Sequence, residues 1–397
     1  MKQKKVTIVG AGITGLLIGY KLAKNGIKVR IVEKEKDLGG LMGDFKIGQT
    51  SIEKVYHHIF KTDKFAIDLI TELGLANKLK WHGEKTAIYS NGIMYPFMGA
   101  IDLLKFKPLD IFSKIRLGWV KIWLEKDNDY RKYIHVPAYE WMKRWCGTRA
   151  YEVIWEPLLK GKFHHYYKQI SMAWLWARIH TRSNSGQLGY LEGGFGQITQ
   201  RLYQKVLEYG GEIELGKEFK LTGKKETIIY TGAIRGVDYL GAVNVVFTSK
   251  QSLSPYYWHN INDSDSPFLA LIQHTNMVDK KYYGNKHVYY LGAYLPHNHR
   301  LFTCDDQTTK KEFLDYLNKI FPKFDQKKID KVWVQKLRNA QHVVHVNYLM
   351  PKFMEKYKET TIYQANFARI FPEDRGVNYA IREALKMVEK ILVVKET

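Results

Sequence analysis

The sequence predicts an α/β protein in which a parallel sheet is joined to a second domain of mixed sheet and helices. At 397 residues the chain is longer than one hydrophobic core usually supports, so two domains are expected. Residues 6–33 read as strand, helix and strand, which is the βαβ order of a parallel sheet. Two later stretches, 80–96 and 254–296, combine apolar runs with turn-forming residues and predict strands of another sheet.

The first predicted unit has clear boundaries. Val6 to Val9 form a short apolar strand, Ile13 to Lys24 form a helix, and Lys28 to Val32 form the next strand. Asn25-Gly26 ends the helix, because these residue types tolerate the left-handed backbone of a helix C-terminus. The later stretch 80–96 turns at Ser90-Asn91-Gly92 and predicts a hairpin.

The loop of the first unit has the pattern G-x-G-x-x-G. Gly10 permits a tight turn, Gly12 lets the backbone approach a pyrophosphate, and Gly15 lets the helix lie close to the strand. The positive N-terminal end of the helix points at the same phosphate. Glu33 ends the second strand, where a carboxylate can accept hydrogen bonds from ribose hydroxyls. The unit therefore predicts a dinucleotide site.

A second glycine pair, Gly39-Gly40, follows Glu33 in the run KEKDLGGLMGD. This order resembles the flavoprotein superfamily of amine oxidases, protoporphyrinogen oxidases and phytoene desaturases, in which an acid, a basic residue and a glycine pair contact FAD. The arginines that usually flank the pair are absent, since Asp37-Leu38 precede it and Leu41 follows it. The resemblance implies FAD as the cofactor and a Rossmann-like FAD-binding domain of the GR2 flavoprotein type.

Two later blocks resemble the same superfamily. Residues 189–215 match its middle block, a Gly-Gly turn before a helix and a strand, and the next segment would bring a backbone group to the adenine. Residues 361–392 match the closing flavin segment, whose polar turn and helix N-terminus face the ribityl chain and the ring. The cofactor contacts implied by the resemblance are Gly10, Gly12, Ile13, Thr14, Gly15, Glu33, Lys34, Gly39, Gly40, Leu41, Phe219, Asn366, Gly376, Val377 and Asn378.

The resemblance also implies a discontinuous domain organisation. Three segments combine into the FAD-binding domain, two form a substrate-binding sheet domain, and one forms a helical subdomain. The predicted FAD-binding domain comprises residues 1–80, 190–250 and 355–397. The predicted substrate-binding sheet domain comprises residues 81–96 and 251–354, and the helical subdomain comprises residues 97–189.

The helical subdomain contains a basic amphipathic stretch. Residues Met98 to Trp145 are rich in Leu, Ile, Trp and Lys. Ile111, Ile115, either Gly118 or Trp119, and Ile122 recur at helical spacing with lysines between them. One interpretation is an ordinary subdomain packed on the core. The other is peripheral contact with an anionic membrane on its inner face, since protoporphyrinogen oxidases carry a membrane-associated helical domain at this point.

Charge and cysteine content limit the partners and the compartment. The chain has 62 basic and 40 acidic side chains, a net charge of +22, which fits an anionic ligand, an anionic membrane or simply a lysine-rich proteome. No nucleic-acid-binding module is recognisable, so nucleic acid is not expected. The two cysteines, Cys146 and Cys304, form no disulfide framework and predict a cytoplasmic protein. No spacing of His, Cys or carboxylates predicts a metal site.

Two residues are candidates for the catalytic site. Arg178 lies on a helix whose sequence resembles a block of protoporphyrinogen oxidase and of UDP-galactopyranose mutase, and it would act as a clamp for an anionic small-molecule substrate. A salt bridge is the alternative role. His58 follows the flavin block and is a candidate for proton transfer. Tyr256, Tyr257 and Trp258 line either an aromatic pocket or an ordinary core.

The sequence thus predicts an FAD-dependent oxidoreductase of the protoporphyrinogen oxidase and amine oxidase type, in which a hydride passes from the substrate to flavin N5. A flavin-dependent sugar-nucleotide mutase of the UDP-galactopyranose mutase type is the alternative, although its tyrosine-rich signature is replaced by SNSGQLGYLEGGFG. A flavin-binding protein without catalysis is a third possibility.

Overall fold

The computed structural model describes residues 5–83, 85–182, 186–223 and 225–396. The predicted domain segments include a few further positions, and these lie outside the described residues. The strands, numbered in chain order, are β1 (Lys5–Val9), β2 (Lys28–Val32), β3 (Asp44–Ile47), β4 (Thr50–Glu53), β5 (Ile59–Phe60), β6 (Leu79–Gly83), β7 (Thr86–Ser90), β8 (Ile93–Pro96), β9 (Gln187–Leu191), β10 (Glu212–Glu214), β11 (Thr227–Tyr230), β12 (Tyr239–Ser249), β13 (Trp258–Ile261), β14 (Ala270–Gln273), β15 (His287–Leu295), β16 (Ile329–His342), β17 (Met354–Tyr357) and β18 (Thr360–Gln364).

The helices cover the first sheet and fill a separate layer in the middle of the chain. A π-helical turn joins two of them, at 151–155. In chain order they are α1 (Ile13–Lys24), α2 (Lys64–Glu72), α3 (Ala100–Lys105), α4 (Ile111–Lys126), α5 (Ala138–Cys146), α6 (Thr148–Ala150), α7 (Glu156–Phe163), α8 (Met172–Arg182), α9 (Gly196–Glu208), α10 (Arg300–Thr303), α11 (Asp306–Ile320) and α12 (Val377–Glu396).

The first sheet has the order β10-β2-β1-β11-β18-β17 and is parallel except for the edge strand β17. The predicted β1, α1 and β2 are confirmed almost to the residue. The carboxyl ends of parallel strands meet at one edge of a sheet, so the loops after β1, β2, β11 and β18 gather there. These loops come from segments far apart in the sequence, and they build one end of the main cavity.

Helix α1 is buried on most sides. It contacts the sheet as well as α9 and α12, and Leu16, Leu17 and Leu22 are fully buried. Close packing depends on a small residue in the middle of the helix. A Cβ at Gly19 would lie 2.7 Å from Cδ1 of Ile31 on β2. The helix is therefore apolar nearly all round because it lies between layers rather than on the surface.

The second sheet has the order β16-β12-β15-β14-β13-β7-β8. Its long central strand β12 pairs antiparallel with both β15 and β16. The predicted FAD-domain segment 190–250 therefore crosses from one sheet to the other, because β12 follows the parallel strand β11 after only a short connection. An apolar run alone does not specify which sheet it joins, so the sequence did not separate β11 from β12, and the division into domains stays a prediction.

The predicted hairpin is confirmed in its second half. Strands β7 and β8 pair antiparallel, and the connecting Asn91 and Gly92 both have positive φ, as a tight two-residue hairpin turn requires. Residues 79–83 differ from the prediction. They form β6, which pairs with β9 in a separate three-stranded sheet with β5.

Helices α3 to α8 form a layer with its own hydrophobic core, and it contains Trp141, Trp174 and Trp176. The side chain of Asp110 caps α4 by accepting a hydrogen bond from the Ser113 N–H at 2.9 Å. In the described part of the chain, no helix is both long enough and apolar enough to cross a membrane.

Candidate functional site

The glycine loop between β1 and α1 forms one end of the main cavity. Gly10 has a φ of +109°, and a Cβ there would lie 2.3 Å from Thr231 Oγ1. A Cβ at Gly15 would lie 2.0 Å from the carbonyl oxygen of Gly10, so a side chain at either position would displace the loop. Around Gly12, by contrast, the nearest atom to an added Cβ is 3.9 Å away. The backbone there is open to a ligand, as the sequence predicted.

The first turn of α1 is suited to an anion. Its N-cap residue is Gly12, no side chain caps the helix, and the first turn contains no acidic residue. Gly12, Ile13 and Thr14 all line the cavity. Backbone N–H groups at a helix N-terminus carry partial positive charge and bind phosphate groups. This end of the cavity therefore fits the pyrophosphate of a dinucleotide.

Glu33 is fixed beside the glycine loop by backbone hydrogen bonds. Its Oε2 accepts a hydrogen bond from the Ala11 N–H at 2.7 Å, and its Oε1 accepts one from the Glu35 N–H at 2.9 Å. A carboxylate has further lone pairs, which can accept hydrogen bonds from ribose hydroxyls. The neighbouring Lys34 also lines the cavity, but its side chain is largely exposed.

The second glycine pair closes the loop after β2 against the first glycine loop. The Gly39 N–H donates to the Ala11 carbonyl at 3.0 Å. Gly39 and Gly40 have φ values of +100° and +56°, and a Cβ at Gly39 would lie 2.9 Å from the backbone of Gly43. Glycine is required here by backbone conformation and by space. Leu41 follows the pair and lines the cavity.

The segment that contains Phe219 lies beside the end of β2. The Lys217 N–H donates to the Glu33 carbonyl at 2.8 Å, and the Gly216 N–H donates to the Glu35 carbonyl at 2.8 Å. Phe219 lines the same cavity. Phe219 therefore lies on the cavity wall, and the contact of its backbone with an adenine stays a prediction.

Gly376, Val377 and Asn378, at the start of α12, line the cavity together with Asn366. The side-chain amides of the two asparagines are already engaged. Asn366 accepts from the Ala368 N–H at 2.7 Å and donates to the Gly232 carbonyl at 2.7 Å. Asn378 Oδ1 accepts from the Ala66 N–H at 3.1 Å. Both asparagines therefore shape the cavity wall, and a direct contact between Asn366 and a ribityl chain stays a prediction.

The cavity has a volume of about 1060 Å³. This volume is slightly above the range of about 300–1,000 Å³ that is usual for ligand pockets. All of the predicted cofactor contacts line it except Gly15, which lies beneath the loop. An open glycine backbone, an uncapped helix N-terminus and a fixed carboxylate are the features that FAD requires at its nucleotide half. The residues present therefore fit this cofactor.

A cluster of charged side chains lines another part of the same cavity, and we call Lys162, Arg178, Arg375 and Asp374 the cation cluster. Lys162 Nζ and Arg178 Nη1 both contact Asp374 Oδ2, at 2.9 and 3.2 Å. The side chains of Lys162 and Asp374 are only 8% and 7% exposed. The indole N–H of Trp174 donates to the other carboxylate oxygen at 3.2 Å. The predicted Arg178 thus does make a salt bridge, and it does so inside the cavity.

Arg375 contacts neutral partners. Its Nε donates to Gln341 Oε1 at 3.0 Å, and its Nη2 donates to the Tyr294 hydroxyl at 2.5 Å. Burial works against the ionisation of Tyr294, but the positive charges of Arg375 and Lys162 outweigh it and lower the pKa of the phenol. Burial also lowers the pKa of Lys162, while Asp374 acts in the opposite direction. The cavity wall therefore carries groups whose proton affinity has been changed by their surroundings.

His58 lines the cavity, with its Nδ1 3.3 Å from the Tyr257 hydroxyl. Its neighbour His57 contacts the Val55 carbonyl at 2.6 Å, and burial lowers the pKa of His57 to about 4. His57 is therefore neutral at physiological pH, while a catalytic role for His58 stays a prediction. Of the three predicted aromatic residues, Trp258 lines the cavity, whereas Tyr257 is buried behind it.

Sequence reasoning missed Lys162, Asp374, Arg375 and Tyr294. One signal was present, because Asp374 and Arg375 directly precede the predicted contact Gly376 in the closing block. Lys162 and Tyr294 belong to α7 and β15, and no local pattern connects them. Among the residues that the structure describes, no group of three His, Cys, Asp or Glu side chains is arranged to hold a metal ion.

Comparison with known proteins agrees with this geometry. The family model described as flavin containing amine oxidoreductase matches residues 13–224. A curated relative, the mitochondrial protoporphyrinogen oxidase of Nicotiana tabacum, is 26% identical over 163 residues, which are 40% of this chain and 32% of that enzyme. The matched segment thus spans about a third of the relative.

Solved structures share the fold at low sequence identity. A protein provisionally named protoporphyrinogen oxidase, from Exiguobacterium sp. 255-15, has a TM-score of 0.77 at 19% identity and covers 98% of this chain and 99% of its own. Reduced UDP-galactopyranose mutase has a TM-score of 0.66 at 13% identity and covers 86% of this chain and 85% of its own. These likenesses show the α/β fold with its Rossmann-like domain.

The chain belongs to the flavin containing amine oxidoreductase family. It is an FAD-dependent oxidoreductase, as its resemblance to the flavoprotein superfamily implied.

Proposed function

We propose that the protein removes a hydride from a C–H or N–CH bond of an anionic small molecule, with flavin N5 as the acceptor. The observation that carries this proposal is the cation cluster on the wall of the cavity that the glycine loops also line. We infer the hydride transfer from the chemistry of the family. We infer the anionic substrate from the positive charges of the cation cluster.

The four side chains of the cluster carry three positive charges and one negative charge. Holding an excess of like charge in a low-dielectric site costs free energy unless a counter-charge is supplied. Asp374 is shared between two cations, and Arg375 donates to neutral oxygen atoms. A carboxylate or phosphate on the substrate would add a favourable negative charge beside these cations. Arginine is suited to this task because its planar donors match both groups.

FAD, when bound, supplies the acceptor for the electron pair. The residues of the chain bind and orient the substrate and exclude water from it. Arg178 and Arg375 would hold the anionic group, and Trp258 supplies an apolar part of the wall. Tyr294 would accept a proton that the substrate loses, because the positive charges of Arg375 and Lys162 lower the pKa of the phenol and so favour the phenolate, the form that can take up a proton.

A mutase acting on a nucleotide sugar is the second candidate. Its support is the cation cluster, which would also suit a diphosphate, together with the fold shared with reduced UDP-galactopyranose mutase. A flavin-binding protein without catalysis is a weaker candidate, since a buried charged cluster without a ligand would be costly to keep.

Anaerobic spectroscopy on the purified holoprotein distinguishes these functions. We expect the flavin absorbance to bleach when an oxidisable carboxylate- or phosphate-bearing substrate is added, and not with the neutral analogue of that substrate. A flavin that stays oxidised with every oxidisable substrate, in a protein that converts a nucleotide sugar after reduction by dithionite, would replace the oxidoreductase proposal by the mutase. A flavin that stays inert in both tests would favour the protein without catalysis.

A matched pair of variants tests the anionic substrate separately. We expect Arg178→Gln to raise the KM for the charged substrate by roughly tenfold to a hundredfold, the loss expected when a charge-assisted hydrogen bond is removed. The control is Arg201→Gln on α9, an exposed arginine that donates to Gln204 at 3.3 Å. Equal KM values for both variants would contradict the assignment of the anion site.

A further inference from the structure

Helix α4 has an apolar inner face and an apolar outer face. Leu117, Val120 and Leu124 are buried against the rest of the helical layer. On the opposite side five large apolar side chains are at least half exposed. A surface helix of a globular protein normally has polar residues on its outer face. These exposed residues are Ile111, Phe112, Ile115, Trp119 and Ile122.

The exposed residues of α4 lie on one side of the helix. At about 100° per residue, their positions fall within an arc of roughly 100°, centred opposite the buried face. Phe112 is 80% exposed and Ile115 is 63% exposed. Such an arc is a continuous apolar surface rather than a set of scattered residues, and surfaces of this kind mark interaction sites.

Helix α3 extends this surface. Met98, Ile101 and Leu104 are also more than half exposed. The ammonium group of Lys114 on α4 donates to the Leu104 carbonyl at 2.7 Å, which brings the end of α3 against the first turns of α4. We call the eight exposed apolar residues of α3, α4 and the segment before them the outer stripe.

Basic side chains flank the outer stripe. Residues 98–126 contain six basic and three acidic side chains. Lys105 is the last residue of α3 and Lys107 follows the helix, while Arg116 and Lys121 lie on either side of the exposed arc of α4, and all four are exposed. An amphipathic helix that lies on an anionic membrane has the same arrangement, with an apolar face and lysine or arginine at its borders.

A tryptophan cluster supports the outer stripe from behind. The ring of Trp119, which is 53% exposed, lies 5.2 Å from the ring of Trp123, and Trp123 lies 5.0 Å from Trp145. Packed rings hold Trp119 in place at the surface. Tryptophan is favoured at the boundary between the lipid headgroups and the hydrocarbon, because its ring is largely apolar while its N–H can donate a hydrogen bond to water or a headgroup.

We propose that the outer stripe docks on the surface of an anionic lipid bilayer, with α4 lying in the plane of the interface. Charge complementarity favours this partner over a second copy of the chain. Each chain carries +22, and a symmetric pairing of two stripes would bring two basic borders together. The same charge draws the protein to an anionic membrane, and the apolar side chains then hold it there.

Vesicle binding by the FAD-loaded, full-length protein tests this proposal. We expect co-sedimentation with vesicles that contain phosphatidylglycerol, weaker binding to pure phosphatidylcholine, and partial loss of binding at high salt. The double variant Phe112→Glu, Ile115→Glu should bind at least about tenfold more weakly, because two apolar side chains that would enter the bilayer are replaced by charged ones. Leu207→Glu, at an exposed apolar position on α9, should bind like the wild type.

Three controls separate docking from misfolding and from self-association. The double variant should keep its flavin content and unfolding temperature, since both side chains are exposed in the folded protein. Lipids brominated near the headgroup should quench the tryptophan fluorescence, and Trp119→Phe should reduce this quenching. Failure of the wild type to bind phosphatidylglycerol vesicles, or equal binding by the double variant, would overturn the proposal. So would a wild-type dimer in sedimentation that the double variant dissociates.

Discussion

The two ends of the main cavity are built in different ways. The nucleotide end consists of backbone and glycines from short, local stretches, and Cβ atoms added at Gly10, Gly15 and Gly39 would lie 2.0 to 2.9 Å from their neighbours. The end with the cation cluster consists of long side chains from α7, α8, β15 and the segment before α12. Backbone geometry restricts residue choice strongly, whereas a cluster of side chains can be assembled from many positions. This difference explains why the nucleotide end could be predicted from the sequence and the cation cluster could not.

The largest expected effect comes from the nucleotide end. Gly15→Ala places a Cβ 2.0 Å from the Gly10 carbonyl oxygen, so the loop must move and the protein should lose its bound FAD. Overpacking of this kind also destabilises a protein by about 1–3 kcal/mol. The flavin-to-protein absorbance ratio and the unfolding temperature measure the two effects. Gly118→Ala on α4, where no atom lies within 4 Å of the added Cβ, is the control and should keep its flavin.

The next largest effect is expected at the cation cluster. Asp374→Asn removes the carboxylate that Lys162 and Arg178 share, which should lower the free energy of unfolding by about 3–5 kcal/mol. Added phosphate should raise the free energy of unfolding, and it should do so by a larger amount in the variant than in the wild type. Thermal unfolding measures both effects. Asp315→Asn, which breaks an exposed pair with Lys311, should cost about 1 kcal/mol or less.

A smaller effect is expected when Glu33 is shortened. Glu33→Ala removes the acceptor for the Ala11 N–H and for the ribose hydroxyls, which should weaken FAD binding by roughly tenfold. Titration of the apoprotein with FAD measures this change. Glu35→Ala, two residues further on, alters a mostly exposed carboxylate and should have a far smaller effect. Equal affinities in the two variants would show that the acid after β2 does not contact the cofactor.

The smallest effect is a change of substrate affinity with pH. Burial lowers the pKa of Lys162, so the ammonium group loses its proton at a lower pH than an ordinary lysine. Because the charged form attracts an anion, the KM for an anionic substrate should rise as the pH increases through this pKa. Ionisation of Tyr294 would act in the same direction. Lys162→Met should remove the rise in KM that comes from deprotonation of Lys162. Tyr294→Phe should remove the rise that comes from ionisation of Tyr294.

The fold was predictable where local patterns decide it. The bounds of β1, α1 and β2 follow from apolar runs and from glycines, and the turn at Asn91-Gly92 follows from its residue types. The sheet that β12 joins did not follow, because pairing partners far along the chain determine it. In the site, the glycine loops were predictable for the same local reason. Lys162 and Tyr294 come close to Arg375 only in the folded protein, so no spacing in the sequence indicates that they belong to one site.

The most direct test of the central claim, that one cavity binds FAD beside an anion site, is a flavin difference titration. A non-oxidisable anionic analogue is added to the oxidised holoprotein, and the change in flavin absorbance gives its Kd. We expect a saturable change in the wild type, a Kd raised at least about tenfold in Arg178→Gln and in Lys162→Met, and an unchanged Kd in Arg201→Gln. A flavin spectrum that does not respond to the anion, or a Kd that the two cluster variants leave unchanged, would contradict the account.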